Sequence, residues 1–169
     1  RMLGEAAPEL APEAHASASA MFTYGPLAWI KKREEWLAAA GMAYTNAFAL
    51  RPQNNKFSEL CASKRELPSW YSLPHIKQGE YVRPEFFGEI ERLEAEITAM
   101  QPNLILALGN VACWAVLHET NISQIRGTIR QSRPIGGRTY KVLPTYHPAG
   151  VMRQWAWRPE VVSDLMKAF

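Results

Sequence analysis

The sequence predicts an α/β protein, folded as a three-layer α/β/α sandwich around a mostly parallel central sheet. Strand-like segments alternate with amphipathic helical segments along the chain, which is typical of this class. Residues 104–108 are apolar at every position, as expected for a strand buried on both faces of a parallel sheet. The length of 169 residues fits one domain over 1–169. Because the chain starts at Arg1, we expect residues to be missing upstream.

The individual elements follow from hydrophobic spacing and from the positions of Pro and Gly. The clearest is a helix from Pro84 to Met100, whose apolar residues recur at steps of four, three, four and three. Other helices are predicted over residues 26–40, 111–118 and 159–168, and strands over 42–49 and 139–143. Segments rich in Pro, Ala or polar residues, 6–20 and 50–82, are predicted to be mostly irregular, with one short helix in the second.

Composition excludes several classes of protein. Hydrophobic residues make up 47% of the chain and charged ones 21%, which excludes a disordered chain. No apolar run approaches the ~20 residues of a membrane-spanning helix, so we expect a soluble, cytoplasmic protein. The two cysteines, Cys61 and Cys113, are too few for a disulfide framework. The net charge of +3 favours anionic partners, and the absence of a glycine-rich phosphate loop disfavours a nucleotide-binding enzyme.

Functional sites in open α/β sheets form where loops leave the carboxyl ends of the strands. Four segments are predicted to lie there, and each carries a polar or glycine residue suited to a site. They are Gly4-Glu5, the stretch 46–55, Leu108-Gly109-Asn110 and His147. This placement predicts where a site forms without specifying its reaction.

The same segments carry ordered motifs: GEAAP at 4–8, TN at 45–46 with RP at 51–52 and NN at 54–55, LALG at 106–109 with IRG at 125–127, and LPTYHPAGVMR at 143–153. As a set, in this order, they resemble the uracil-DNA glycosylase superfamily, most closely its family 4 type and phage-borne relatives. The resemblance implies a monofunctional DNA glycosylase of base excision repair, in a bacterium or a phage-infected cell. Such an enzyme flips uracil or a related modified pyrimidine out of DNA and hydrolyses its N-glycosidic bond, leaving an abasic site.

The resemblance also implies roles for individual residues. The catalytic residues are Glu5, His147 and Asn55. Glu5 orients or deprotonates water and stabilises the cationic sugar, and His147 donates a hydrogen bond to the departing base. Asn55 helps to position the water or the sugar. Asn46 offers both a donor and an acceptor to the edge of the base, and Phe22 or Tyr24 stacks on it. On the DNA side, apolar Val151 and Met152 fill the gap left in the base stack, whereas Arg126 and Arg153 hold phosphates.

Three departures from the family pattern bear on this interpretation. The first motif has GEAAP where the family has GEAPG, and Gly150 replaces an aromatic residue in the last motif. Leu50 stands where family 4 members carry a cysteine of an iron–sulfur cluster, so neither a metal nor another cofactor is expected. The alternative is a DNA-binding module that keeps the fold with lost or altered catalysis. Both interpretations predict a monomer that binds DNA and does not enter membranes.

Overall fold

A computed structural model describes residues 35, 38, 39, 41–52 and 56–168 of the chain. The predicted helix at 26–40 and the segment 6–20 therefore lie largely or wholly outside the described residues. The strands and α-helices that it contains are β1 (Cys61–Ala62), β2 (Tyr81–Val82), α1 (Phe87–Met100), β3 (Ile105–Leu108), α2 (Gly109–Leu117), α3 (Ile122–Ile125), β4 (Arg130–Gln131), β5 (Lys141–Thr145), α4 (Pro148–Arg153) and α5 (Arg158–Leu165). Short 3₁₀ helices span Phe57–Leu60, Lys64–Glu66, Pro84–Phe86 and Trp155–Trp157.

The larger described sheet has the strand order β3-β5-β4. The central strand β5 pairs in parallel with β3, from Ile105 opposite Val142 to Leu108 opposite Thr145, and antiparallel with β4. Strands β1 and β2 form a separate antiparallel pair. The predicted α/β class is confirmed, and the sheet in this part of the chain is mixed, with one parallel and one antiparallel pairing.

Successive residues of β3 contribute to two different hydrophobic clusters. Ala107 lies in the cluster formed with α1 and α2, whereas Leu106 packs against the cluster formed with α4 and α5. Side chains of a strand alternate between the two faces of its sheet, so β3 is covered on both sides. This explains why the segment is apolar at every position rather than at every second one.

Residues 42–49 do not form the strand that the sequence predicts. Within this described segment Phe48 is buried, with its ring 5.0 Å from that of Phe57. The backbone groups nearby are bound by side chains of α1: Arg92 donates to the carbonyl of Asn46, and Glu89 accepts from the N–H of Ala49. Because side chains satisfy these groups, the segment needs no neighbouring strand.

Most other elements lie within a few residues of their predicted bounds. The stripe of the long helix is confirmed at Leu93 and Ile97, each 4% exposed, whereas Met100 is 44% exposed. The helix ends directly after Met100 because Gln101 adopts a left-handed conformation, with φ of 46°. No helix in the described part of the chain is long and apolar enough to cross a membrane.

A buried carboxylate joins three elements around the end of β5. Asp164 of α5 is 2% exposed and accepts hydrogen bonds from the hydroxyl of Thr145 at 2.7 Å and from Nε of Arg126 at 3.0 Å. Arg126 also pairs with Glu160, at 2.9 Å. Gly127 has φ of +70°, and a Cβ there would collide with Asp164. Asp164 therefore holds the last residue of β5 against α5 and the chain after α3.

We expect Asp164→Ala to lower the free energy of unfolding by about 3 kcal/mol, because it leaves a buried hydroxyl and a guanidinium without their shared acceptor. Urea unfolding followed by circular dichroism measures this change. The matched control is Glu160→Ala, which removes the more exposed carboxylate from the same arginine and should cost less than about 1 kcal/mol. Equal losses for the two variants would contradict the role given to Asp164.

Candidate active site

His147 lies where β5 ends and α4 begins. It is the N-cap residue of α4, and its Nδ1 accepts a hydrogen bond from the backbone N–H of Ala149 at 3.1 Å. A neutral imidazole carries one proton, so accepting at Nδ1 places that proton on Nε2. His147 is solvent-exposed. The local fold of the motif thus presents a histidine whose Nε2–H can donate to a ligand.

The first turn of α2 contacts the same histidine. Gly109 has φ of +84°, and a Cβ added there would lie 3.0 Å from Cβ of His147. Helix α2 starts directly after β3, and no side chain caps its N-terminus. The free N–H groups of a helix start carry partial positive charge. The two parallel strands therefore bring an imidazole donor and a positive helix terminus to one edge of the sheet, as the sequence predicts.

Tyr146, the residue before His147, packs against Trp157 and Arg126. The ring of Tyr146 stacks on Trp157 with centroids 4.3 Å apart, and the guanidinium of Arg126 lies 5.2 Å from its centre. Arg126 is bound to Asp164 and has a side chain only 18% exposed. This arrangement differs from the predicted phosphate contact, because the carboxylates of Asp164 and Glu160 already bind the guanidinium. Holding the residue before His147 in place accounts better for Arg126.

The helix α4 separates the two predicted wedge residues. Val151 is 1% exposed and packs in the cluster that includes Tyr146, so it cannot enter a base stack from this position. Met152 is 79% exposed, and Arg153 is also exposed. Adjacent residues of a helix point about 100° apart, which explains the split. The prediction for Val151 is therefore corrected, and the surface position belongs to Met152.

Asn46 is exposed in the loop that precedes the short helix Phe57–Leu60. Its carbonyl accepts a hydrogen bond from Arg92 at 2.7 Å, and Arg92 is in turn paired with Glu89 and Glu96. Hydrogen bonds from Thr45 and Arg92 lower the pKa of the Glu96 carboxyl. The sequence did not single out Arg92, because its partner on the Asn46 loop lies 46 residues away along the chain. The signal available in the sequence was the spacing of Glu89 and Glu96, three residues before and four residues after Arg92, which predicts ion pairs that orient the arginine.

The remaining predicted site residues, Glu5, Phe22, Tyr24 and Asn55, lie outside the described residues.

The two cysteines do not fit an iron–sulfur cluster. The Sγ of Cys61 donates to the carbonyl of Phe57, and that of Cys113 donates to the carbonyl of Ala107. Burial raises the pKa of Cys61 to about 11 and that of Cys113 to about 12, so both remain thiols near neutral pH. A four-cysteine cluster would need two more ligands than the sequence holds. Within the described ranges, no group of three or more His, Cys, Asp or Glu could hold a metal ion.

Comparison with known proteins agrees with the resemblance carried by the motifs. The sequence profile of the uracil DNA glycosylase superfamily matches residues 10–168. A relative, the type-4 uracil-DNA glycosylase of Archaeoglobus fulgidus, is 32% identical over 80 residues, covering 44% of this chain and 40% of that protein. The alignment thus spans less than half of the curated relative. Since the profile covers nearly the whole chain, this protein belongs to the uracil DNA glycosylase superfamily.

Proposed function

We propose that the protein is a monofunctional DNA glycosylase that hydrolyses the N-glycosidic bond of uracil, or of a related modified pyrimidine, and leaves an abasic site. The observation that carries the proposal is the ring of His147: its hydrogen bond from Ala149 assigns the proton to Nε2, and its Cβ adjoins the first residue of α2. Membership in the superfamily supports the choice of reaction.

Hydrophobic clusters on both faces of β3 support a three-layer sandwich for the whole domain, which we propose to act as a monomer.

The chemistry requires stabilisation of charge on both sides of the breaking bond. As the bond between N1 of the base and C1′ of the sugar lengthens, the base takes the electron pair and becomes negative, and the sugar becomes positive. His147 donates from Nε2 to the base oxygen O2, and the start of α2 adds its positive potential. Water then forms the new bond to C1′. Glu5 is proposed to orient that water and accept its proton.

Base recognition and flipping involve the other predicted residues. We propose that the side-chain amide of Asn46 reads the edge of the base, on a loop whose backbone Arg92 holds. Phe22 or Tyr24 stacks on the flipped base, and Asn55 helps to place the sugar or the water. Met152 enters the gap in the duplex, and Arg153, next to it on α4, contacts phosphate.

We expect His147→Ala to lower kcat for uracil release about a hundredfold or more, because one preorganised donor to the leaving group is lost. The assay incubates a uracil-containing oligonucleotide with the protein and counts strand breaks after alkali. Glu5→Gln should show a loss of the same kind. The control is Met166→Ala, which shortens a side chain that is 60% exposed directly after α5. This variant should retain activity. DNA binding without strand breaks in the unmodified protein would instead favour a module with lost catalysis.

We expect Gly109→Ala to lower kcat about tenfold or more, since the new Cβ would meet Cβ of His147 at 3.0 Å and displace the imidazole. Gly137→Ala is a matched control. Gly137 also has a positive φ, +77°, but a Cβ there has nothing within 4 Å, so it introduces similar backbone strain without touching the site. Steady-state kinetics on both variants, with thermal unfolding to compare their stability, measures the difference. An equal loss of kcat in the two variants would show that backbone strain lowers the activity and that displacement of the imidazole does not.

We expect Met152→Ala to reduce uracil release from duplex DNA several-fold more than from single-stranded DNA, because only a duplex leaves a gap that needs filling. The measurement is the ratio of kcat/KM on the two substrates. Met100→Ala, at another exposed methionine, should leave this ratio unchanged. A proportional loss on both substrates would argue against a wedge.

A further inference from the structure

An aromatic cluster lies at the surface of the segment between the Asn46 loop and α1. Its ring centroids follow one another at 6.4 Å from Trp70 to Tyr71, 5.9 Å from Tyr71 to Tyr81, and 6.0 Å from Tyr81 to His75. We call Trp70, Tyr71, His75 and Tyr81, with Lys64, the aromatic patch. The proposed mechanism of base excision uses none of these residues.

The patch presents one large ring to solvent on a rigid support. Trp70 is 63% exposed, whereas Tyr71 beside it is 4% exposed. A hydrogen bond from the N–H of Tyr71 to the carbonyl of Pro68, at 3.0 Å, closes the turn that carries Trp70. Exposing a tryptophan forgoes the favourable burial of a large apolar surface, and the exposed ring is available to stack on a ligand.

Lys64 places positive charge against two of the rings. The Nζ of Lys64 lies 5.2 Å from the centres of both Tyr71 and Tyr81 and donates to the carbonyl of Tyr71 at 2.9 Å. Arg65 follows it on an exposed turn, and Lys77, with a side chain 77% exposed, pairs with Glu80 at 3.9 Å. Residues 56–83 contain five Lys and Arg against three Glu. The surface around Trp70 therefore favours a polyanion.

The patch is anchored to the helix that faces the candidate site. The indole N–H of Trp114 donates to the carbonyl of Pro74 at 2.8 Å, four residues after Trp70. Trp114 lies five residues along α2 from Gly109, which is about 8 Å along the helix axis. The segment and His147 are thus fixed to the same helix.

We propose that the aromatic patch is a second nucleic-acid contact, which stacks an unpaired base on Trp70 and holds the adjoining phosphates with Lys64 and Arg65. Exposed aromatic faces beside cations are the usual means of binding single strands without sequence preference. The exposed neighbours of Trp70 in the sequence include the polar Ser69 and Ser72, which favours a nucleic acid over an apolar protein surface. This contact rests on the proposed function only in that the bound strand is the DNA substrate.

The test measures binding without requiring catalysis. Fluorescence anisotropy of a labelled 30-nucleotide single strand that lacks uracil should show Kd about tenfold weaker for Trp70→Ala. Trp70→Phe should recover most of the affinity because it keeps an aromatic face. Arg65→Gln should weaken binding and make the slope of log K against log salt concentration shallower by about 0.7. Met166→Ala is the exposed control and should bind as the unmodified protein does.

A second arm separates this contact from the active site. Excision from a uracil-containing 30-mer should lose kcat/KM in Trp70→Ala, whereas excision from a five-nucleotide substrate should lose less, because a short strand has fewer nucleotides available to the patch. Failure of the unmodified protein to release uracil would count against the proposed reaction and leave the binding result intact. Unchanged affinity of Trp70→Ala and Arg65→Gln for the 30-mer would overturn the contact, as would absence of binding by the unmodified protein. Either result would point to a protein partner for the patch.

Discussion

The parallel pairing of β3 with β5 is the constraint on which the candidate site depends. It aligns Leu108 with Thr145 at the carboxyl ends of both strands, so the residues that follow, Gly109 and His147, emerge side by side. The turn into α2 can then touch the histidine, and the start of that helix adds positive potential there. Neither strand alone would create this arrangement, because each supplies only half of it.

The rest of the domain keeps that pairing in one geometry. Asp164 binds the hydroxyl of the last residue of β5, and Arg126 connects the same carboxylate to the ring of Tyr146. A hydrogen bond from Ala149 then fixes the orientation of the imidazole. A donor that is already oriented needs little rearrangement when charge develops on a leaving group, which is the main requirement of this class of catalysis. These polar contacts thus serve to keep the donor nitrogen of His147, Nε2, in one orientation.

Two surfaces extend the site in different ways. The Asn46 loop is held by Arg92 of α1, so its backbone is fixed although it belongs to no sheet. The segment after it ends in an aromatic patch attached to α2 through Trp114. In the proposed function, the first surface sets which base is accepted and the second holds the adjoining strand. The Asn46 loop depends on side chains of α1, whereas the aromatic patch also includes Tyr81 of β2, which pairs with β1.

The sequence alone determined the α/β class, the helix between Pro84 and Met100, the buried strand and the motif that presents His147. These features are local: periodicity and ordered motifs are properties of neighbouring residues. Tertiary structure alone decided that residues 42–49 form no strand, that Val151 is buried while Met152 is exposed, and that Arg126 is engaged by Asp164, 38 residues further along the chain. The physical reason is that a polar group's partner, and the burial of a side chain, depend on elements that become neighbours only when the chain folds.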